Sequence, residues 1–172
     1  MSDQTATPAS WGSPRSKTVT WYDPKVVAEA GASMSGMELL GALLEGQLPP
    51  PPIMELMGLS LVKIDVGEVV FEGTPDESVY NPIGLVHGGL VCTLLDSVAG
   101  CAVHTTLPAG TGYTSVEIKV NYLRAVHAGM KLRARGWVTR PGRRIAFAEG
   151  EVRDEQGKLL ATASSSCLVI SA

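Results

Sequence analysis

The stretch GLVHGGLVCTLLDSVAGCAVHTTL, residues 84–107, constrains the fold of this chain more than any other. Apolar side chains recur at Leu90, Leu94 and Val98 and again at Val91, Leu95 and Ala102, the spacing of a helix buried around most of its circumference. Such a helix begins near Gly88 and ends before Pro108. A helix that is apolar nearly all round needs a sheet wrapped about it. Strand patterns lie on both sides: Leu59 to Val66 and Glu68 to Gly73, turned at Gly67, then Thr114 to Leu123, Lys131 to Thr139, Arg144 to Arg153 and Leu159 to Ile170. The separators Arg140-Pro141-Gly142 and Asp154-Glu155-Gln156-Gly157 are hairpin chemistry. Two strands, one central helix and a four-strand antiparallel meander predict the α+β class.

Outside this unit the texture differs. Residues 1–20 are rich in Ser, Thr, Pro and Gly and are expected to form a flexible leader. Residues 21–52 read as a helical extension. Asp23-Pro24 offers a cap and a first-turn proline, Ser35 with Glu38 offers a capping box before Leu39, Leu40, Leu43 and Leu44, and Pro49 to Pro52 stops any helix as a polyproline connector. Residues 53–172 form the main domain. With hydrophobic types at 45% and charged types at 18% of 172 residues, one globular domain with a substantial core is expected. Fourteen basic against seventeen acidic residues leave a formal charge of -3, which excludes a bulk electrostatic footprint for nucleic acid or an anionic membrane. The leader has no apolar core of a signal peptide, and no run reaches the roughly 18 apolar residues of a membrane span. Cys92 and Cys101, nine apart on one helix, cannot bridge, and with Cys167 they make an odd number. A reduced, cytoplasmic setting is the expectation.

The chain lacks a Gly-x-Ser-x-Gly elbow, a phosphate loop, a His-Glu-x-x-His pair and cysteines at zinc spacing. Cys101 and His104 share a helix face, but three cysteines and three histidines leave little to complete a metal site, so no metal is expected. Asp96 stands out. It sits among Leu94, Leu95, Val98 and Ala99, with no Lys or Arg between Lys63 and Lys119. A buried carboxylate without a charge partner must shift its pKa, accept hydrogen bonds from neutral donors, or face a cavity. It is either structural or a general base or nucleophile. His87-Gly88-Gly89 opens the helix, where backbone N–H groups without intrahelical partners can hold a developing oxyanion; an ordinary glycine-rich helix start is the alternative. Asp96 follows His87 by nine residues, about 13 Å along the axis and on the opposite side. If both features act on one carbonyl, two subunits of a two-fold dimer must share the site.

The run Asn81-Pro82-Ile83-Gly84-Leu85-Val86-His87-Gly88-Gly89, then Leu94-Leu95-Asp96, then the strand Thr114 to Tyr122 resembles the hotdog-fold thioesterases of the phenylacetate-pathway (PaaI) type, over roughly residues 55–170. The resemblance implies one long central helix wrapped by a curved antiparallel sheet. It also implies dimers joined edge to edge and paired again into tetramers, and hydrolysis of acyl-CoA or aryl-CoA thioesters. Carried over by position, Asp96 matches the catalytic carboxylate, Gly88 the amide that polarises the thioester oxygen, and Ser115 a hydroxyl that positions water. Asn81 and His87 match residues that hold the acyl carbonyl and the site geometry. No cofactor is implied, since CoA is part of the substrate.

A thioester carbonyl is weakly resonance-stabilised and its thiolate leaves readily, so a carboxylate and one oriented amide can suffice. Ten of the fourteen cations lie from Lys119 onward, mostly as a solvated sheet face. Arg140, Arg143 and Arg144 around a hairpin tip are the candidates for the CoA phosphates. Two other readings compete. A hotdog hydratase or dehydratase would pair a His with an acid, an arrangement absent here. A non-catalytic acyl- or aryl-binding module would gain nothing from an unpaired buried carboxylate.

Overall fold

The long helix forms where the periodicity places it, and everything else is arranged around it in this computed structural model, which describes residues 8–171. Four helices, α1 (Pro24–Gly31), α2 (Gly36–Leu44), α3 (Pro52–Met57) and α4 (Gly88–His104), accompany six strands, β1 (Leu59–Asp65), β2 (Glu68–Gly73), β3 (Thr111–Tyr122), β4 (Leu132–Arg140), β5 (Ile145–Asp154) and β6 (Leu159–Ser171). Leu94, Leu95, Val98, Ala99, Ala102 and Val103 of α4 are fully buried. Each Leu or Val among them contributes about 1.5–3 kcal/mol over leaving it exposed. At the C-terminal end the Thr105 hydroxyl donates to the Ala102 carbonyl at 2.6 Å and accepts from the Gly67 N–H at 2.7 Å, tying the helix to the β1–β2 turn. Where α4 crosses β4, a Cβ at Gly136 would collide with the Val98 carbonyl, so only glycine lets helix and sheet come this close.

The sheet is six-stranded in the order β1-β2-β4-β5-β6-β3, with every neighbouring pair antiparallel. This is the hotdog fold, an α+β arrangement of one central helix against an antiparallel sheet that does not close on itself. The expected meander from β3 to β6 is incorrect in one respect. Only β4, β5 and β6 are consecutive neighbours, while β4 pairs with β2 and β3 lies at the far edge beside β6. The reason is the connection. Residues 123–131 are too long for a hairpin turn, and they run under the loop before α4, with Val126 buried. There the Val86 N–H donates to the Val126 carbonyl at 3.0 Å, and the Gly129 N–H donates to the Pro75 carbonyl at 2.8 Å.

The helices ahead of the sheet carry local caps. Asp23 accepts from the Lys25 N–H at 3.0 Å, and Ser35 and Glu38 exchange a capping box. Pro52 begins a helix rather than ending one: it takes the first position of α3, where a missing N–H loses nothing. Residues 1–7 of the leader lie outside the described residues. Its later part runs past the loop before α4, where Arg15 pairs with Glu77 and Lys17 Nζ with Asp76 at 2.7 Å. The Lys17 ammonium, with help from the Ser78 hydroxyl and N–H, holds the Asp76 carboxyl down at about 2. Among the described residues no helix is long and apolar enough to cross a membrane.

Candidate active site

Strand β3 and helix α4 run side by side, and the side chains singled out in the sequence collect at two points along them. At the first, half-buried Asp96 on α4 accepts a hydrogen bond from the Ser115 hydroxyl on β3, Oγ to Oδ1 2.7 Å. Of the ways to accommodate a carboxylate among apolar neighbours, the chain uses a neutral donor, and among the described residues Asp96 is in no ion pair. The second point is the helix start. His87 caps α4, its Nδ1 accepting the Gly89 N–H at 2.8 Å. That contact occupies the Gly89 donor and leaves Gly88, the first residue of the helix, with an N–H that has no acceptor within α4. Asn81 shapes the preceding loop: its Oδ1 accepts from the N–H groups of Ile83 and Leu85, both at 3.1 Å.

The structure therefore brings Asp96 to Ser115 and His87 to the helix start, with Asn81 in the loop before it, but the two groups stay apart. Eight residues of helix separate Gly88 from Asp96, about 12 Å of rise. Arg140, Arg143 and Arg144 lie exposed at the β4–β5 turn. Arg143 faces a cavity of about 510 Å³ bounded by Leu107, Pro108 and Val169.

Two features carry no signal in the sequence reading. The first is Tyr122, whose ring lies so near the helix start that a Cβ at Gly88 would sit 3.1 Å from it, and whose hydroxyl donates to the Gly88 carbonyl at 3.0 Å. The second is a β-bulge: the register of β3 against β6 shifts between Ser115 and Glu117. A strand alternates faces residue by residue, so Ser115 and Tyr122, seven apart, would ordinarily point to opposite sides. With Val116 inserted, Tyr113 and Ser115 before the bulge and Ile118, Val120 and Tyr122 after it all address α4.

The thiols are poor nucleophiles here. Burial pushes Cys101 up to about 11, with Asp96 adding to the shift, and burial also raises Cys92 and Cys167. His104 leans on Tyr113, ring centroids 5.4 Å apart, and no three His, Cys, Asp or Glu side chains among the described residues converge as a metal cage.

The pattern of the thioesterase superfamily matches residues 83–161, which span the helix start, Asp96 and Ser115. Human acyl-coenzyme A thioesterase 13 is 30% identical over 104 residues, 60% of this chain and 74% of that protein. A phenylacetic acid degradation-related protein of Ralstonia eutropha is 30% identical and superposes with a TM-score of 0.69, covering 74% of this chain and 97% of its own. The chain belongs to the thioesterase superfamily. Within that superfamily it is a hotdog enzyme of the phenylacetate-pathway type, and its chemistry is thioester hydrolysis. A Streptococcus mutans protein solved with acetyl CoA bound shares the thioesterase fold with a TM-score of 0.62 at 23% identity, over 66% of this chain and 89% of that one.

Proposed function

We propose that this thioesterase hydrolyses acyl-CoA or aryl-CoA esters at sites shared between two protomers, with Asp96 and Ser115 from one and the Gly88 N–H from the other. The observation that carries this reading is the edge strand. Strand β3 has no neighbour on its outer side among the described residues, and it presents Ser115 with Asp96 near one end and Tyr122 with Gly88 at the other. Pairing β3 antiparallel with its copy about a two-fold axis lays the Ser115 end of one protomer against the Tyr122 end of the partner. This closes both edges and creates two equivalent sites. The exposed apolar side chains Ile145, Phe147, Leu168 and Ile170 on the outer sheet face suit a second pairing into a dimer of dimers.

In this site the thioester oxygen rests on the Gly88 N–H of the partner subunit at the positive end of α4. Water held by Ser115 gives its proton to Asp96 as its oxygen attacks the carbonyl carbon, or Asp96 attacks directly and water opens the anhydride. The tetrahedral oxyanion collapses, the C–S bond breaks, and the departing CoA thiolate takes up the proton. The products are free acid and CoA thiol. No cofactor enters the reaction, and the chemistry requires no nucleic-acid or membrane partner.

Subunit mixing tests the shared site. Asp96→Asn and Gly88→Pro homodimers are each expected to be nearly inactive in thiol release from acyl-CoA. Mixed by denaturation and refolding in equal amounts, they should recover about a quarter of wild-type turnover, because about half the dimers are mixed and each holds one intact site. Recovery no greater than the sum of the two variants sinks the shared site.

For the CoA nucleotide the reading rests on Arg140, Arg143 and Arg144. Reversing all three to Glu is expected to raise KM for acyl-CoA roughly tenfold or more through lost phosphate contacts. The KM for the same acyl group on N-acetylcysteamine, which carries no phosphate, should move far less. Equal changes for both thioesters would rule out a nucleotide contact.

A further inference from the structure

We propose that helix α3, from the extension ahead of the sheet, forms the far wall of the acyl pocket and that Met57 sets the size of the acyl group accepted. The proposal rests on the thioesterase reading of the Gly88 site and adds to it the element that measures the substrate.

A cavity of about 400 Å³ opens beside the start of α4. His87 and Gly89, the residues flanking Gly88 in the chain, line it together with Met57, Val79 and Leu90. The thioester carbonyl at Gly88 thus has an apolar recess next to it. The two remaining lining residues turn their polar atoms into the protein. The Thr93 hydroxyl donates to the Gly89 carbonyl at 2.9 Å, and the Tyr80 hydroxyl accepts the Ala128 N–H at 3.0 Å. What they offer the recess is mainly carbon, as an acyl or aryl group requires. The volume lies toward the small end of the roughly 300–1,000 Å³ usual for ligand pockets, which favours short to medium chains or one aromatic ring.

Met57 is held at this position by its own turn. It is the last residue of α3, followed by Gly58 in the left-handed conformation at φ 64° and then by Leu59, buried at the start of β1. Its side chain packs against the main core together with Val79, so its far end is the part of the recess that can change length without moving α4. Met57 also lies outside residues 83–161, so the wall comes from a segment that the superfamily pattern does not specify.

The experiment compares wild type, Met57→Ala, Met57→Trp and the volume-conserving Met57→Leu on CoA esters from acetyl to dodecanoyl and on phenylacetyl-CoA. Each additional methylene buried is worth about fourfold in kcat/KM. Met57→Ala should therefore move the optimum to longer chains and raise the decanoyl-to-butyryl ratio by about tenfold or more, and Met57→Trp should lower it, with Met57→Leu close to wild type. Dissociation constants of the same esters, measured by calorimetry on Asp96→Asn forms of these proteins, should follow the same order. Parallel chain-length profiles in all four proteins would overturn the proposal. Binding that tracks residue 57 in a wild type that releases no thiol would support the recess while refuting the thioesterase mechanism, so the two failures are distinct.

Discussion

Asp96→Asn is expected to lower kcat for acyl-CoA hydrolysis by roughly 10²–10⁴-fold, the range supplied by a positioned general base. The substitution is close to isosteric and leaves an oxygen to accept the Ser115 hydroxyl, now 2.7 Å from the carboxylate. No ion pair is lost, since among the described residues Asp96 makes none. Stability should change little, and calorimetric affinity for CoA esters should stay within a few-fold. Thiol release measured beside ester binding checks both halves. A variant that still turns over near the wild-type rate would remove Asp96 from the chemistry, whereas equal loss of binding and turnover would make it merely structural. Ser115→Ala, which removes a positioning hydroxyl and not the base, should cost less than Asp96→Asn.

Gly88→Pro isolates the other half of the site. Proline is tolerated at the first position of a helix because its missing N–H has no intrahelical role there. His87 already holds the extended conformation that a residue before proline needs, φ −61° and ψ 134°. The substitution therefore deletes one donor while sparing the helix, and loss of one oxyanion donor typically lowers kcat by roughly 10²–10³-fold. Crowding is controlled by Gly88→Ala, which keeps the N–H and places a Cβ 3.1 Å from the Tyr122 ring, a side chain 54% exposed and able to shift. The alanine variant should retain most of its turnover. If it falls as far as the proline variant, the effect is steric and the donor role is lost.

Much of the fold could be read from local pattern because α4 and the strands have strong, distinct periods. The helix limits at Gly88 and before Pro108, and the bounds of β2 at Glu68 and Gly73, correspond to the sequence reading nearly residue by residue. Which strand lies at which edge was not legible, because pairing between distant segments leaves no local trace. The position of β3 beside β6 follows from the path of residues 123–131, held by Val126 and Gly129. Of the candidate site residues, Asp96 stood out in the sequence as a charge without a local partner, and Gly88 by its place in a glycine pair at a helix start. The contact of Asp96 with Ser115 and of Gly88 with Tyr122 depends on tertiary packing of a bulged strand. The pocket wall at Met57 depends on a helix whose first turn the proline run concealed.

The bulge at Val116 makes β3 behave as a gear with one added tooth. Removing that residue would leave Ser115 and Tyr122 six apart and in phase on a plain strand, so both would still address α4, whereas a further deletion would turn one end away. A single-codon deletion at the bulge is therefore absorbed as a surface loop would absorb it, and a second one is not. The strand thus carries one residue of slack, and its descendants can keep or lose it so long as the two ends stay in phase.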